Sequence, residues 1–363
     1  MATDLYLDLG DLLTKGLVCD SRRAKRLRYP SVVAHRLLDE RGDGGELLID
    51  AQRELTRLED FDPDSYRRTR SYPRAAQQLQ AADPVAGARF AGWLAARLGA
   101  DRELLGSHPS QDNIDALVRK ALMQATASGF TLSKLRVILL VDHGAKTDAI
   151  MAYGRERKDV VLAQHRVGGE EVTRLKLSLD FEVLDSAPCA LAGLGDRFDL
   201  PARLLIVDIG YLRSKLVIFG PAGCEFQGEA RDLGVSDCVR RLMRDEQEHG
   251  LVEDELAVVR ALEHSQQTIE VAGRRFPIEA TLDKARRGLS EELAQEVKRT
   301  LLSHYGRHPE PIGTVALIGG GAPLVGRQLA SALGDLDLGL DTIHVEPKPN
   351  HLLIDGARRS ERP

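Results

Sequence analysis

Two stretches carry chemistry-bearing residues at matching spacing. LYLDLGDLLTKGLV (5–18) and LLIVDIGYLRSKLVIFG (204–220) each read as an apolar run, an Asp-x-Gly turn and a second apolar run. That pattern describes two β-strands folded back on each other. With Asp8 set on Asp208, Gly10 falls on Gly210, Thr14 on Ser214 and Lys15 on Lys215. Each copy offers a carboxylate, a flexible glycine and a hydroxyl at a hairpin tip. Two such tips facing each other suit a polyphosphate and its metal, so the repeat implies a two-lobed nucleotide-binding chain. A third stretch, Gly319-Gly320-Gly321, lies between the apolar strand TVALI and a helix through Leu333. Without β-carbons its backbone can approach a ligand closely, and a helix N-terminus favours anionic or polar groups. A triple glycine alone says little; after two matched hairpins it completes one composite site.

Those loops need a scaffold, and the chain is long enough to build one. At 363 residues it accommodates two domains, each with its own core. A net charge of −5 gives no whole-molecule attraction to nucleic acid. The four cysteines (Cys19, Cys189, Cys224, Cys238) lack metal-ligand or CxxC spacing and suit reduced thiols in a cytoplasm, with Cys189 and Cys238 in apolar packing. The start MATDLYLDLG lacks the basic and apolar regions of a signal peptide, and no apolar run suits a membrane span. These features predict a cytoplasmic protein without direct membrane insertion.

In chain order, the basic run Arg22 to Arg28 reads as a solvated face or a phosphate or DNA contact, and Val32 and Val33 as a short strand after Pro30. Residues 35–110 read as helices and loops inserted into the first lobe, with a turn at Gly42-Asp43-Gly44-Gly45. Phe90, Trp93, Leu94 and Leu98 share the face of a helix there. The i, i+3, i+4 pattern from Ile114 to Ala125 predicts a helix over 113–128, capped by Asp112 or Asn113 and ended by Gly129. LRVILLV (135–141) is a buried strand, as expected of an α/β sheet with a covered face. KDVVLAQHRV and VTRLKLSLDFEVL are strands split by Gly168-Gly169, leading into a helix at SAPCALAGL.

Beyond the second hairpin, Ser236 caps a helix carrying Val235, Val239, Leu242 and Met243, and another helix runs through Leu256, Val259 and Leu262. TIEVAGRRFPIE (268–279) is a hairpin turning at Ala272-Gly273. Ser290 caps a further helix with Glu291 and Glu292 in its first turn, where the helix dipole favours acids, and Gly306 ends it. TIHVE is the last strand.

The order DLGDLLTK, DIGYLRSK, LIGGGAPLVG resembles the two phosphate loops and adenosine loop of the actin-like ATPase superfamily. RYPSVVA, the AGR hairpin and the segment from Pro349-Asn350 to Gly356 resemble its bacterial and archaeal branch, typified by the plasmid-segregating ParM proteins. The resemblance spans nearly the whole chain, with little from residues 35–110. It implies an α/β, two-lobed actin-like (ribonuclease H-like) fold, each lobe a mixed five-stranded sheet flanked by helices. Lobe I would comprise residues 1–200, with 30–110 as a small subdomain, plus a returning segment 347–363. Lobe II would comprise 201–346, with about 235–290 as its small subdomain.

The resemblance also implies closure over ATP (or GTP) with Mg²⁺ and polar filaments coupled to nucleotide state. A DNA-binding adaptor or cargo protein would be the partner. Carried over by position, Asp8 and Asp208 are the catalytic acids and orient Mg²⁺ through water. Lys15 reaches the β/γ-phosphates, the amides around Gly10 and Gly210 bind phosphate oxygens, and Thr14 and Ser214 supply hydroxyls. Gly319, Gly320 and Gly321 line the adenosine, and Asp237 contacts the ribose.

Three departures from the family pattern bear on activity. Tyr211-Leu212-Arg213 replaces small residues after the second Asp-x-Gly; the bulk crowds the γ-phosphate, or Arg213 binds it, or the side chains project away. Asp11 adds a carboxylate that repels phosphate unless it is metal-bound or turned outward. Ala187, before Pro188, stands where the family orients its attacking water, and Asp185 is the nearest acid. Slow turnover, or binding without hydrolysis, is expected. A filament-forming protein of this kind is the leading expectation. A non-hydrolysing scaffold acting through protein partners is the alternative. A small-molecule kinase would need a substrate-activating Asp, and none stands out.

Overall fold

The computed structural model describes residues 3–34, 90–91, 103–106, 108–132, 135–142, 145–165, 172–195, 203–245, 258–259, 262, 268–271, 274–306, 312–336, 338–347 and 349–361. The chain divides into two compact units: residues 1–193 with 353–363, and residues 194–352.

In the first unit, β1 (Thr3–Leu9), β2 (Leu13–Cys19) and β3 (Ala24–Pro30) form an antiparallel meander. Three two- or three-residue strands, β4 (Val32–Ala34), β5 (Phe90–Ala91) and β6 (Glu103–Leu104), make a separate small sheet. Helix α1 (Gln111–Ala127) leads into β7 (Leu135–Val141), α2 (Ala145–Glu156), β8 (Asp159–His165), β9 (Val172–Asp185) and α3 (Ser186–Leu194). The sheet order is β3-β2-β1-β7-β9-β8.

Alternation along β1 explains why helices cover both faces. Leu5, Leu7 and Leu9 point to one side and pack with Ile114, Leu117, Val118, Ala121 and Leu122 of α1. Tyr6 points to the other side, into a cluster with Ile138, Leu140 and Cys189, and Asp8 shares that parity. Each fully buried leucine of this kind contributes about 1.5–3 kcal/mol.

The second unit repeats the plan. β10 (Arg203–Ile209), β11 (Arg213–Gly220) and β12 (Gly223–Arg231) are again an antiparallel meander, followed by α4 (Val235–Asp245). After the hairpin β13 (Thr268–Val271) and β14 (Arg274–Pro277) come α5 (Glu279–Tyr305), β15 (Ile312–Ile318), α6 (Ala322–Gly334) and β16 (Thr342–Val345). The order β12-β11-β10-β15-β16 matches β3-β2-β1-β7-β9 strand for strand. In both, the first strand pairs antiparallel with the second and parallel with the fourth. A final 3₁₀ turn (Pro349–His351) and α7 (Leu352–Ser360) return the chain to the first unit. There Gly356 lies so close to the Cys189 carbonyl that a β-carbon would collide with it.

Several local expectations change. The first sheet has a sixth strand, because β9 is 14 residues long and its first half pairs with β8. α1 begins earlier than 113: Ser110 is its cap, accepting from the Asn113 amide at 3.2 Å, while Asn113 itself donates to Glu103. Gly129, at φ +79°, follows the helix end as expected. Ser290 is not a cap, since α5 runs unbroken from Glu279, and its hydroxyl instead donates to the Val325 carbonyl at 3.5 Å. The apolar face Leu282, Ala285, Leu289, Leu293 simply continues through the point where Ser290 suggests a start. At Gly288 the missing side chain leaves room for the Arg241 guanidinium.

Phe90 is in a strand against Ala34, not on a helix; Trp93, Leu94 and Leu98 lie outside the described residues. So do the turns at Gly42–Gly45, Gly168-Gly169 and Ala272-Gly273, and Leu256 of the expected helix. The basic run spans the turn before β3 and the first part of that strand: Arg26 pairs with Asp355 at 2.7 Å, and Arg23 caps the Ser128 and Gly129 carbonyls while stacking on Phe130. Among the described residues no helix is long and apolar enough to cross a membrane.

Candidate functional site

At the first hairpin tip, the register sets Asp8 opposite Lys15 and Leu9 opposite Thr14. Lys15 Nζ lies 3.9 Å from Asp8 Oδ2, and both side chains keep part of their surface in solvent. Gly10 is required by the turn, because a β-carbon there would stand 2.5 Å from the Leu13 carbonyl oxygen. Thr14 is fully buried and its hydroxyl shares a 2.9 Å hydrogen bond with the Ser31 hydroxyl. Asp11, next to Gly10, is held by Lys146 Nζ at 2.8 Å, so its charge is cancelled from the first turn of α2. No local signal could have disclosed Lys146, which is 135 residues away.

The second tip repeats this geometry closely. Asp208 faces Lys215 and Ile209 faces Ser214, with Lys215 Nζ again 3.9 Å from Asp208 Oδ2. A β-carbon on Gly210 would stand 2.6 Å from the Arg213 carbonyl oxygen. Ser214 is fully buried and donates to the Leu233 carbonyl at 2.5 Å. Tyr211 is buried, and Arg213 Nη1 bonds both Glu229 carboxylate oxygens at 3.0 and 3.1 Å across β11 and β12. Arg213 thus extends onto the neighbouring strand.

α4 docks on this tip through its backbone. The Val235 and Ser236 amides donate to the Gly210 and Tyr211 carbonyls at 3.0 and 2.8 Å, replacing the side-chain cap expected from Ser236. Ser236 is instead inside the helix, with its hydroxyl buried and without a hydrogen-bond partner among the described residues. Asp237 accepts from Arg241 Nε at 2.6 Å, and Arg241 also reaches Glu292 at 2.7 Å. Hydrogen bonding to Glu292, then to Asp237, raises the Arg241 pKa above its usual value.

The triple glycine belongs to the second tip. Gly319 has φ +86°, and a β-carbon on it would collide with the Asp208 carboxylate and lie 2.6 Å from the Ile209 carbonyl oxygen. The Gly321 amide donates to that same carbonyl at 2.8 Å, and Gly320 between them is exposed. The glycines thus let the β15–α6 loop lie directly on Asp208.

Asp185, at the end of β9, accepts from the Ala187 amide at 2.9 Å and so caps α3. Ala187 is buried, and the neighbouring Ser186 hydroxyl bonds Asp142. Asp8 and Asp208 are each part-exposed carboxylates in their own unit, and hard oxygen donors of that kind suit a Mg²⁺ that keeps its water shell. Among the described residues no group of three or more His, Cys, Asp and Glu makes an all-protein metal cage.

No family model and no curated protein matches the sequence. Solved structures do match. A 15-stranded ParM filament from Clostridium botulinum has TM-score 0.64 at 13% identity, covering 98% of this chain and 99% of that one. An archaeal actin homologue in complex with ADP has TM-score 0.65 at 16% identity, covering 98% and 97%. ParM from Bacillus thuringiensis with ATP has TM-score 0.55 at 14% identity, covering 99% of each. At such identities the likeness establishes architecture. The chain has the two-lobed actin-like α/β fold, in its ParM-like form.

Proposed function

We propose that this chain binds ATP with Mg²⁺ and assembles with copies of itself into filaments whose stability depends on the bound nucleotide. The observation that carries the reading is the duplicated tip: Asp8 facing Lys15 and Asp208 facing Lys215, each in the same register and at the same 3.9 Å. Similar structures solved with ADP and with ATP favour adenine over guanine nucleotide. In this reading Lys15 leaves Asp8 to meet the β/γ-phosphates, and the amides at Gly10 and Gly210 donate to phosphate oxygens. Asp8 and Asp208 hold the water shell of Mg²⁺, which would neutralise phosphate charge. Gly319 to Gly321 flank the adenosine and Asp237 the ribose. A bound γ-phosphate then biases the relation of the lobes and thus the contacts between subunits.

Hydrolysis is slow in this account. Ala187 has no group to orient water, and the nearest acid, Asp185, is engaged in capping α3. Loss of a water-orienting side chain lowers such rates by orders of magnitude. The cellular role would be to move or position plasmid DNA through an adaptor, or another cargo, in the cytoplasm.

One observation favours a second reading, a non-hydrolysing scaffold recruited by protein partners. Thr14 and Ser214 are both fully buried with internal partners, and Arg213 is bound to Glu229, which leaves fewer side chains for a γ-phosphate. Sedimentation of the purified chain with Mg-ATP, Mg-ADP or no nucleotide, with electron microscopy of each sample, separates the two. ATP-dependent filaments support the first reading. Filaments independent of nucleotide support a static scaffold, and no assembly in any condition contradicts the first reading and favours a scaffold that acts only through partners.

A further inference from the structure

Asp11 poses a problem that the fold solves in an unexpected place. It follows Gly10 at the first tip, where a negative charge opposes polyphosphate binding, and its counterpart at the second tip is the uncharged Tyr211. Asp11 is paired at 2.8 Å with Lys146, and the two side chains are only 10% and 12% exposed. Lys146 is the second residue of α2, and the first turn of a helix is where the macrodipole disfavours a cation. Helix stability therefore does not account for a lysine there; the carboxylate of Asp11 does.

We propose that Lys146 is a positioning residue of the first phosphate loop. Its ammonium holds the Asp11 carboxylate to α2 and cancels its charge, so that a nucleoside triphosphate can be bound at Gly10 and Lys15. The inference rests on the nucleotide reading above. With the pair intact, the formal charges of Asp8, Asp11, Lys15 and Lys146 sum to zero, two negative and two positive. Removing Lys146 alone takes one positive charge from the tip and leaves these residues net negative around a nearly hidden carboxylate, which costs more at low local dielectric than in water.

The test is a double-mutant cycle on the full chain, read by equilibrium binding of a fluorescent ATP analogue with Mg²⁺. Lys146→Met is expected to weaken binding by about tenfold or more, from the Coulomb cost of one unscreened charge near phosphate. Asp11→Ser/Lys146→Met is expected to recover affinity to within about threefold of wild type, and Lys146→Arg to retain it. Added salt should narrow the gap between Lys146→Met and wild type, which a folding defect would not do.

Unchanged binding by Lys146→Met overturns the proposal. So does a double variant as weak as Lys146→Met, which would mean that Lys146 meets the ligand or supports the fold. Thermal unfolding of each variant identifies the second of these causes. A wild-type chain that binds no nucleotide overturns the nucleotide reading itself, and this inference with it.

Discussion

The tips at Asp8 and Asp208 have one backbone plan and two ways of managing charge. Both set an Asp against a Lys, bury a hydroxyl residue beneath and close around a glycine pressed on a carbonyl. They part at the residues after that glycine. The first tip places an acid there, compensated by Lys146 from a helix distant in sequence. The second places a bulky run whose Arg213 is compensated by Glu229 on the adjacent strand. At the second tip a glycine loop also lies on Asp208. What repeats is the Asp–Lys geometry of each tip, and what varies is how charge is handled within each unit.

The largest effect expected from breaking the comparison is at Gly319. Gly319→Ala forces a β-carbon into the Asp208 carboxylate at positive φ and should cost about 3 kcal/mol in urea unfolding. Gly10→Ala and Gly210→Ala meet carbonyl oxygens at 2.5 and 2.6 Å and should each cost about 1–3 kcal/mol. These two costs should agree to about 1 kcal/mol if the tips are true duplicates; a tolerant tip would show that the duplication is only apparent. Arg213→Ala should cost less than about 1 kcal/mol, since its ion pair is partly exposed, and should leave nucleotide affinity unchanged. Weaker binding by that variant would mean that Arg213 swings from Glu229 to phosphate.

The smallest effect is chemical. Burial, with Asp185 and Glu361 nearby, pushes the Cys189 thiol up to about 12, and burial does the same to Cys238. Both therefore remain protonated as pH rises from about 7 to about 9, and only the thiolate reacts. A thiol reagent should label exposed Cys224 first, with Cys189 and Cys238 labelled only on unfolding. Fast labelling of Cys189 would contradict the packing of α3 on the first sheet.

The strands of both hairpins and their pairing were legible because the alternating and apolar runs, the Asp-x-Gly turns and the tip residues all recur at one spacing. LRVILLV and TVALI were legible for a related reason: buried parallel strands are short continuous apolar runs, whereas the half-exposed edge strand TIHVE shows itself by alternation. Caps were harder. Asp112 and Asn113 are good cap types, but Ser110 took the role once Asn113 was drawn to Glu103. Ser290-Glu291-Glu292 imitates a helix start, while the residues before it keep the apolar period and so remain helical. Ser236 lost its cap role because the Gly210 and Tyr211 carbonyls reached the helix amides first. At the candidate site, sequence named the residues that recur but not those that balance them. Lys146 and Glu229 act across tertiary distance, and no spacing rule points to either.

The central proposal is that each tip takes part in nucleotide binding. It is tested most directly by titrating Mg-ATP into wild type, Asp8→Asn and Asp208→Asn by calorimetry. The account predicts one site per chain in wild type, and a loss of affinity of about tenfold or more in each variant, from one carboxylate at either tip. Unchanged affinity in either variant would contradict it, because that tip would then be a structural hairpin alone.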